Sequence, residues 1–176
     1  MAGYVGVVDE RLDLELLRLL AAELPDWDVQ VVGPVTKIDP GALPEAANLR
    51  YTGLVPYAQL PAVMAGFDVA IMPFALNDAT RAISPTKTLE YLAAGLPVVA
   101  TRVPDLVADY GEVVHFAEEP FEFARACEDV VRHELDQRDA RTQPLQERHE
   151  WDFIVAEMCR LMNAGTVADR SNEASG

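Results

Sequence analysis

Residues 83–99 read ISPTKTLEYLAAGLPVV, and this stretch is the strongest guide to the fold. Ser84 is a good N-cap residue and Pro85 suits the first helical position, so the chain predicts a helix with a sharp start. Gly95 is a typical helix stop, and the apolar residues after it are typical of a buried strand. We therefore predict a helix over residues 84–94, followed directly by a core strand.

The first turns of this predicted helix carry charge. Its opening N–H groups have no partner inside the helix and, together with the helix dipole, they favour a bound phosphate. Lys87 adds a positive charge one turn in, and Glu90 shares its face because it lies three residues further on. The pair suits a nucleoside diphosphate, with the cation on the phosphates and the carboxylate accepting hydrogen bonds from ribose hydroxyls. The alternative is a solvated surface ion pair without a ligand.

The rest of the chain alternates short apolar runs with helical stretches, which is typical of a parallel sheet covered by helices on both faces. We predict an α/β fold, a doubly wound Rossmann-like sheet of about six strands. The predicted strands are 4–8, 27–32, 48–52, 69–74, 97–101 and 112–116. The predicted helices are 12–24, 57–66, 84–94 and 103–110, with two or three more within 121–163. We expect residues 1–163 to form one domain and residues 164–176 a disordered tail.

Ligands of such sheets bind at the carboxyl ends of the strands, near the point where the strand order reverses. We therefore expect the loops after the strands to line a crevice, with the N-terminus of the helix over 84–94 pointing into it. These loops are residues 9–11, 33–37, 53–57, 75–83 and 101–104.

Composition narrows the possible functions. The formal net charge of −15 over 176 residues argues against nonspecific nucleic-acid binding and against direct docking on anionic lipid. Lys37 and Lys87 are the only lysines, so an anion site must be built from a few placed cations. No apolar run approaches the roughly 18 residues of a membrane span, and a strand close to Met1 argues against a signal peptide. We expect a cytoplasmic protein.

The cysteines and histidines show no pattern of a metal site or a nucleophile. Cys127 and Cys159 lie in predicted helices without metal-ligand spacing, so we expect buried thiols in a reducing compartment. His115, His133 and His149 are scattered and are interpreted as structural or exposed. The chain has neither a GxxxxGK[ST] nor a GxGxxG motif. We expect no bound metal and no dinucleotide cofactor.

SPTKTLEYLAAGLPVV, preceded by FDVAIMPF and the polar loop NDATRA, resembles the donor-nucleotide domain of GT-B-type retaining glycosyltransferases. The resemblance extends from Gly3 to about Met162. It includes YVGVVDERLDLELL, PDWDVQVVGPV, NLRYTGLVPYAQLP and the late HEWD, in this order. It implies transfer of a hexose from a nucleoside diphosphate sugar, with UDP as the expected nucleotide, to an acceptor hydroxyl with retained anomeric configuration.

The resemblance also implies roles for individual residues. It implies that Glu90 binds the ribose, as the second glutamate of a motif with seven residues between two glutamates. The first glutamate would fall at Ala82, so the loop over residues 77–81 is expected to supply replacement polar groups. The expected diphosphate-binding residues are Ser84, Pro85, Thr86 and Lys87, with Arg11 and Thr80.

The nucleobase is expected near the loop after the third strand, largely on backbone groups of Leu54 and Val55. Tyr57 either stacks on the base or packs at the start of the next helix. Arg11 likewise has an alternative, an ion pair with Asp13 or Glu15 at the start of the first helix.

GT-B enzymes have two domains of similar size with the active site between them. The resemblance therefore implies that an N-terminal acceptor domain, or a partner chain, is missing here. We expect this chain to bind donor nucleotide with little or no transferase activity alone, and to reach a membrane surface only through the missing domain. Protein cations are expected to replace a metal.

Two further interpretations stay open. One is a non-catalytic nucleotide-sugar-binding module with the same fold. The other is a receiver-like signalling domain, since Asp9 and Glu10 follow the first strand as an acidic metal-binding pair would. Against it, the third strand ends with Arg50, Tyr51 and Thr52 where a phospho-accepting aspartate would be needed.

Overall fold

The computed structural model describes residues 1–81, 83 and 86–133, which lie within one compact unit, Met1–Asp139. The predicted helices beyond residue 133 and the predicted tail over 164–176 lie outside the described residues. Some predictions for individual positions also lie outside the described residues. They concern Ala82, Ser84, Pro85, His149, Cys159 and the side chain of His133.

Within the described residues, six parallel strands form one sheet in the order β3-β2-β1-β4-β5-β6. This order confirms the predicted doubly wound α/β fold. The strands are β1 Ala2–Val5, β2 Val29–Val32, β3 Leu49–Gly53, β4 Val69–Met72, β5 Val98–Ala100 and β6 Val114–Phe116. The helices are α1 Leu14–Glu23, α2 Leu60–Met64, α3 Lys87–Ala93, α4 Pro104–Tyr110 and α5 Pro120–His133, with 3-10 turns at Pro40–Ala42 and Tyr57–Gln59.

Strand β1 begins and ends earlier than predicted. Ala2 and Gly3 pair with both β2 and β4, so the ladder starts at small residues that give little strand signal in the sequence. After Val5 the chain leaves the ladder, and Val8 forms a separate bridge to Val35. The apolar run over residues 4–8 therefore indicates burial correctly but places the strand too late.

For helix α1 the predicted buried face is confirmed, but the predicted start is wrong. Its buried face contains Leu16, Leu17 and Leu20, as the 3.6-residue period predicts. The helix starts after Asp13, whose carboxylate accepts a hydrogen bond from the Leu16 N–H at 2.8 Å. The start predicted at residue 12 is wrong because this cap ends the preceding loop.

Helix α3 begins at Lys87, three residues later than predicted, and ends at Ala93, one residue earlier than predicted. Thr86 occupies the N-cap position with helical angles, φ −55° and ψ −23°, and makes no side-chain capping bond. Thr86 therefore does not cap the helix with its side chain. Gly95 has φ +70° and donates to the Leu92 carbonyl, while Leu96 donates to the Tyr91 carbonyl, which is the Schellman pattern of a helix end.

A fully buried tyrosine on α3 bridges the centre of the sheet. The pairing of β1 with β4 ends at Gly3 and Ala70. Beyond it, the Tyr91 hydroxyl accepts a hydrogen bond from the Val5 N–H at 2.7 Å and donates to the Val5 carbonyl at 3.1 Å. The side chain thus binds both backbone groups of Val5 beyond the end of the β1–β4 pairing, where the strand order reverses.

Tyr91→Phe is expected to lower the free energy of unfolding by about 1–3 kcal/mol, because two buried backbone groups of Val5 lose their partner. Urea denaturation with an unchanged m-value measures the loss. Tyr51→Phe is the matched control: the Tyr51 hydroxyl is only partly buried and donates to a single carbonyl, that of Pro44, at 3.2 Å. Equal small losses in the two variants would contradict the bridging role of Tyr91.

Two other features of the described residues bear on the predictions. Cys127 is a buried free thiol, as predicted, and burial raises its pKa. Within residues 1–81, 83 and 86–133, every helix is too short or too polar to cross a membrane.

Candidate functional site

A cavity of about 410 Å³ opens at the carboxyl ends of the strands, where the order reverses between β1 and β4. Each of the segments that follow β1, β2, β3 and β4 contributes residues to its lining, which confirms the predicted crevice for these four loops. The fifth predicted loop, residues 101–104, contributes no residue to the lining. The buried Thr101 hydroxyl is used instead to bind both backbone groups of Phe74, next to the cavity wall.

Two cations line this cavity. Among the described lining residues only Arg11 and Lys87 carry a charge, and the remainder are apolar, aromatic, glycine or threonine. None of the described lining residues carries a carboxylate, although the chain as a whole has a net charge of −15. A cavity whose described lining carries two cations and no carboxylate is suited to an anionic ligand.

The structure pairs Arg11 with Asp9, and not with Asp13 or Glu15, the partners of the alternative interpretation. Nε and Nη2 of Arg11 donate to the two carboxylate oxygens of Asp9 at 2.9 and 2.7 Å. The other two carboxylates have different partners, since Asp13 caps α1 and Glu15 binds Arg18. The hydrogen bonds from Arg11 hold the pKa of Asp9 below its usual range.

The same contacts leave little support for an acidic metal pair after β1. The Asp9 carboxylate forms an ion pair with Arg11, and the carboxylate of Glu10 lies 3.0 Å from the Lys37 ammonium. In the described part of the chain, no group of three or more metal-ligating side chains is brought together.

Lys87 lies between a carboxylate and an aromatic ring. Its ammonium is 2.6 Å from Glu90 Oε2, so the two side chains share a helix face as predicted. It also lies 5.5 Å from the centroid of the Tyr57 ring, within the range of a cation–π contact. The Lys87 side chain is 29% exposed and lines the cavity.

The loop after β3 borders the cavity with apolar side chains. Leu54 and Val55 line it and also border an adjoining hollow of about 450 Å³, together with Tyr57 and Leu60. Tyr57 opens a 3-10 turn, but its side chain is 73% exposed. The packing role considered for Tyr57 is therefore wrong, because its ring faces Lys87 instead of the core.

Thr80, unlike Lys87 and Arg11, lies outside the cavity lining. Thr80 is 1% exposed and does not line the cavity; its hydroxyl donates to the Ala75 carbonyl and accepts from the Asn77 N–H at 3.1 Å. Asn77 connects this loop to the one after β1, since its Nδ2 donates to the Glu10 carbonyl at 2.8 Å. Arg81 pairs with Asp78 at the exposed surface.

Several residues that line the cavity were not predicted as site residues from the sequence. Tyr4, Met72, Phe74 and Tyr91 form part of the lining, and in the sequence they are indistinguishable from ordinary core residues. Of the predicted residues, Thr86, Lys87, Arg11, Leu54 and Val55 meet at the cavity. His115, on β6, is not part of the lining.

Solved glycosyltransferases share this Rossmann-like fold. AviGT4, a glycosyltransferase involved in avilamycin A biosynthesis, is similar with a TM-score of 0.59 at 19% identity, over 93% of this chain and 52% of that one. A UDP-forming α,α-trehalose-phosphate synthase from Burkholderia xenovorans, solved with glucose-6-phosphate, gives a TM-score of 0.61 at 17% identity, over 92% of this chain and 44% of that one. These likenesses define the class of fold.

The family follows from the sequence itself. Residues 9–133 match the model described as glycosyl transferases group 1, so the chain belongs to that family. A Bacillus subtilis (strain 168) protein, TuaH, whose name assigns it to teichuronic acid biosynthesis as a glycosyltransferase, is 33% identical over 139 residues. That match covers 73% of this chain and 34% of TuaH, so the chain spans about a third of the curated relative's length.

Proposed function

We propose that this chain is the donor-binding part of a glycosyltransferase and binds a nucleoside diphosphate sugar in the cavity between β1 and β4. The observation that carries the proposal is the pair of cations, Arg11 and Lys87, on a cavity wall whose other described residues are uncharged, at the switch point of the sheet. The proposed reaction moves a hexose from this donor to an acceptor hydroxyl with retention of anomeric configuration. Polysaccharide synthesis is the proposed setting, by analogy with the name of TuaH.

The diphosphate is proposed to lie against Arg11 and Lys87, beside Thr86 and the adjoining positions Ser84 and Pro85. Charge builds up on the diphosphate as the bond to the sugar breaks, and cations held in place by the fold stabilise that charge. Two cations on one wall make a metal ion unnecessary for this task, so we propose a metal-free donor site.

The nucleoside is proposed to extend from the diphosphate along α3 and the loop after β3. Glu90 lies one turn beyond Lys87 and supplies a carboxylate for the ribose hydroxyls. Leu54 and Val55 give the base an apolar wall, and the exposed ring of Tyr57 lies at its edge. Uracil is the proposed base.

A second part of the enzyme is proposed to supply the acceptor site. The chain covers 34% of TuaH and 44–52% of the two solved glycosyltransferases, and a donor cavity alone leaves an acceptor hydroxyl unpositioned. We propose that the chain alone has little or no transferase activity, and that it works in the cytoplasm with a further domain or partner chain.

Calorimetric titration of the chain with UDP, GDP and ADP, and with their common sugar conjugates, tests the donor site. We expect one nucleotide series to bind, with UDP as the expected member. A folded chain that binds none of them would contradict the proposed function. Preferential binding of GDP or ADP over UDP would support the proposed donor site but replace uracil with guanine or adenine as its base.

Glu90→Gln is expected to weaken UDP binding roughly tenfold, because the ribose hydroxyls lose a charged hydrogen-bond acceptor. The change also frees Lys87 from its ion pair, so titration with 2′,3′-dideoxy-UDP provides the control. This ligand lacks both hydroxyls and is expected to bind the variant and the original chain with similar affinity. An equal loss for both ligands would place Glu90 away from the ribose.

A further inference from the structure

We infer that Asp9 is a positioning residue of the donor site: its buried carboxylate holds the Arg11 guanidinium at the cavity wall without contacting the ligand itself. The inference rests on the proposed function, because it takes a diphosphate as the group that Arg11 contacts. It adds a residue that does not line the cavity and that carries the same charge as the ligand.

The contacts between the two residues are extensive. Asp9 is 2% exposed, and its carboxylate accepts from Arg11 Nε at 2.9 Å, from Nη2 at 2.7 Å and from the Arg11 backbone N–H at 3.1 Å. A guanidinium has five N–H donors in a rigid plane, and this arrangement uses one on Nε and one on Nη2. Three donors remain, and Arg11, 36% exposed, presents its side chain to the cavity.

The short loop that contains Asp9 is itself held from both sides. The Glu10 carboxylate binds the Lys37 ammonium, in the segment after β2. The Glu10 carbonyl accepts from Asn77 Nδ2, in the segment after β4. The Asp9 carbonyl in turn accepts from the Leu12 N–H at 3.0 Å. The geometry of the Asp9–Arg11 pair is therefore set by the fold before a ligand arrives.

Charge and positioning predict opposite effects for loss of the Asp9 carboxylate. By charge alone, removing a negative group near a diphosphate strengthens binding, because a like-charge repulsion disappears. If Asp9 orients Arg11, removing the carboxylate weakens binding, because a free arginine side chain must be ordered again by the ligand. The sign of the change therefore separates the two roles.

The test measures UDP affinity by calorimetry for the 176-residue chain, Asp9→Asn, Arg11→Gln and the double variant. We expect Asp9→Asn to weaken UDP binding roughly tenfold, the size of one charge-assisted hydrogen bond. In the Arg11→Gln background we expect the same change to strengthen binding, because the unpaired carboxylate that repels the phosphates is removed. Unchanged or tighter UDP binding by Asp9→Asn alone would overturn the inference.

A ligand-free measurement shows whether the pair itself is formed. The NMR signal of the Arg11 Nε–H is expected to exchange slowly with water in the original chain and fast in Asp9→Asn. The Nε–H of Arg18, which donates to Glu15 at 2.8 Å, is the internal control and is expected to stay unchanged. Fast Arg11 exchange in the original chain would overturn the inference whatever UDP does.

The outcomes also separate this inference from the proposed function. A chain that binds none of the nucleotides overturns both. If the chain binds nucleotide and Arg11→Gln weakens that binding while Asp9→Asn does not, only the role of Asp9 is overturned.

Discussion

Gly33→Ala is expected to destabilise the chain by about 3 kcal/mol or more, through backbone strain and a steric clash together. Gly33 has φ +146°, a conformation that residues with a Cβ rarely adopt. A Cβ at this position would lie 1.8 Å from the Gly6 carbonyl oxygen, and that atom belongs to backbone. The clash cannot be relieved by a side-chain rotation, so β1 and β2 would have to separate.

The same contact forms part of the candidate site. Gly6 and Gly33 both line the cavity, where the Gly6 N–H donates to the Val32 carbonyl and the Gly33 N–H to the Gly53 carbonyl, each at 2.9 Å. Loss of the close approach is therefore expected to reduce nucleotide binding as well as stability. Urea denaturation measures the first effect and UDP titration at low temperature the second.

Gly95→Ala is the matched control for backbone strain without a clash. Gly95 has φ +70°, and a Cβ there would meet no atom within 4 Å. We expect a cost of about 1–2 kcal/mol, the strain of a left-handed residue alone. A loss in Gly33→Ala no larger than in Gly95→Ala would show that the two loops can move apart easily.

Lys87→Gln is expected to weaken UDP binding by about 10- to 100-fold, which corresponds to about 1–3 kcal/mol for a lost charge-assisted contact. The ammonium lines the cavity, and the fold holds it between Glu90 and the Tyr57 ring. Its loss leaves Arg11 as the remaining charge among the described lining residues. Calorimetric titration of both chains with UDP measures the change.

Arg18→Gln is the matched control for the loss of one positive charge. Arg18 forms an i,i+3 ion pair with Glu15 at 2.6 Å, the same spacing and distance as Lys87 with Glu90, and it does not line the cavity. Stability is expected to change little in either variant, because ion pairs on helix surfaces contribute little. If Lys87→Gln and Arg18→Gln bind UDP equally well, Lys87 is not a phosphate contact.

The predictions that succeeded rest on patterns within short segments. The apolar run over residues 97–101 and the glycine before it correctly predict a helix end and β5, which is buried at all three positions. The three-residue spacing of Lys87 and Glu90 correctly predicts a shared face. The alternation of such segments also predicts the parallel sheet, and the crevice follows because the carboxyl ends of parallel strands meet at one edge.

The features that the sequence predicted wrongly, or did not predict at all, depend on which loops contact one another in the fold. For Arg11, helix spacing offered an ion pair with Asp13 or Glu15 as the alternative to a diphosphate contact. The chain is still in a loop there, and Asp9 is the carboxylate that binds the guanidinium. The burial of the Thr80 hydroxyl and the exposure of Tyr57 depend equally on neighbouring loops.

The sequence by itself determined the class of fold, the edge of the sheet that carries the candidate site and the helix that brings Lys87 to it. Periodicity, glycine stops and apolar runs act through local geometry, which a single chain segment already contains. Only the tertiary structure decided that Asp9 holds Arg11, that Tyr91 bridges the backbone of Val5, and that Gly33 touches Gly6. Each of these contacts depends on how strands and loops lie in space, and no sequence spacing encodes that arrangement.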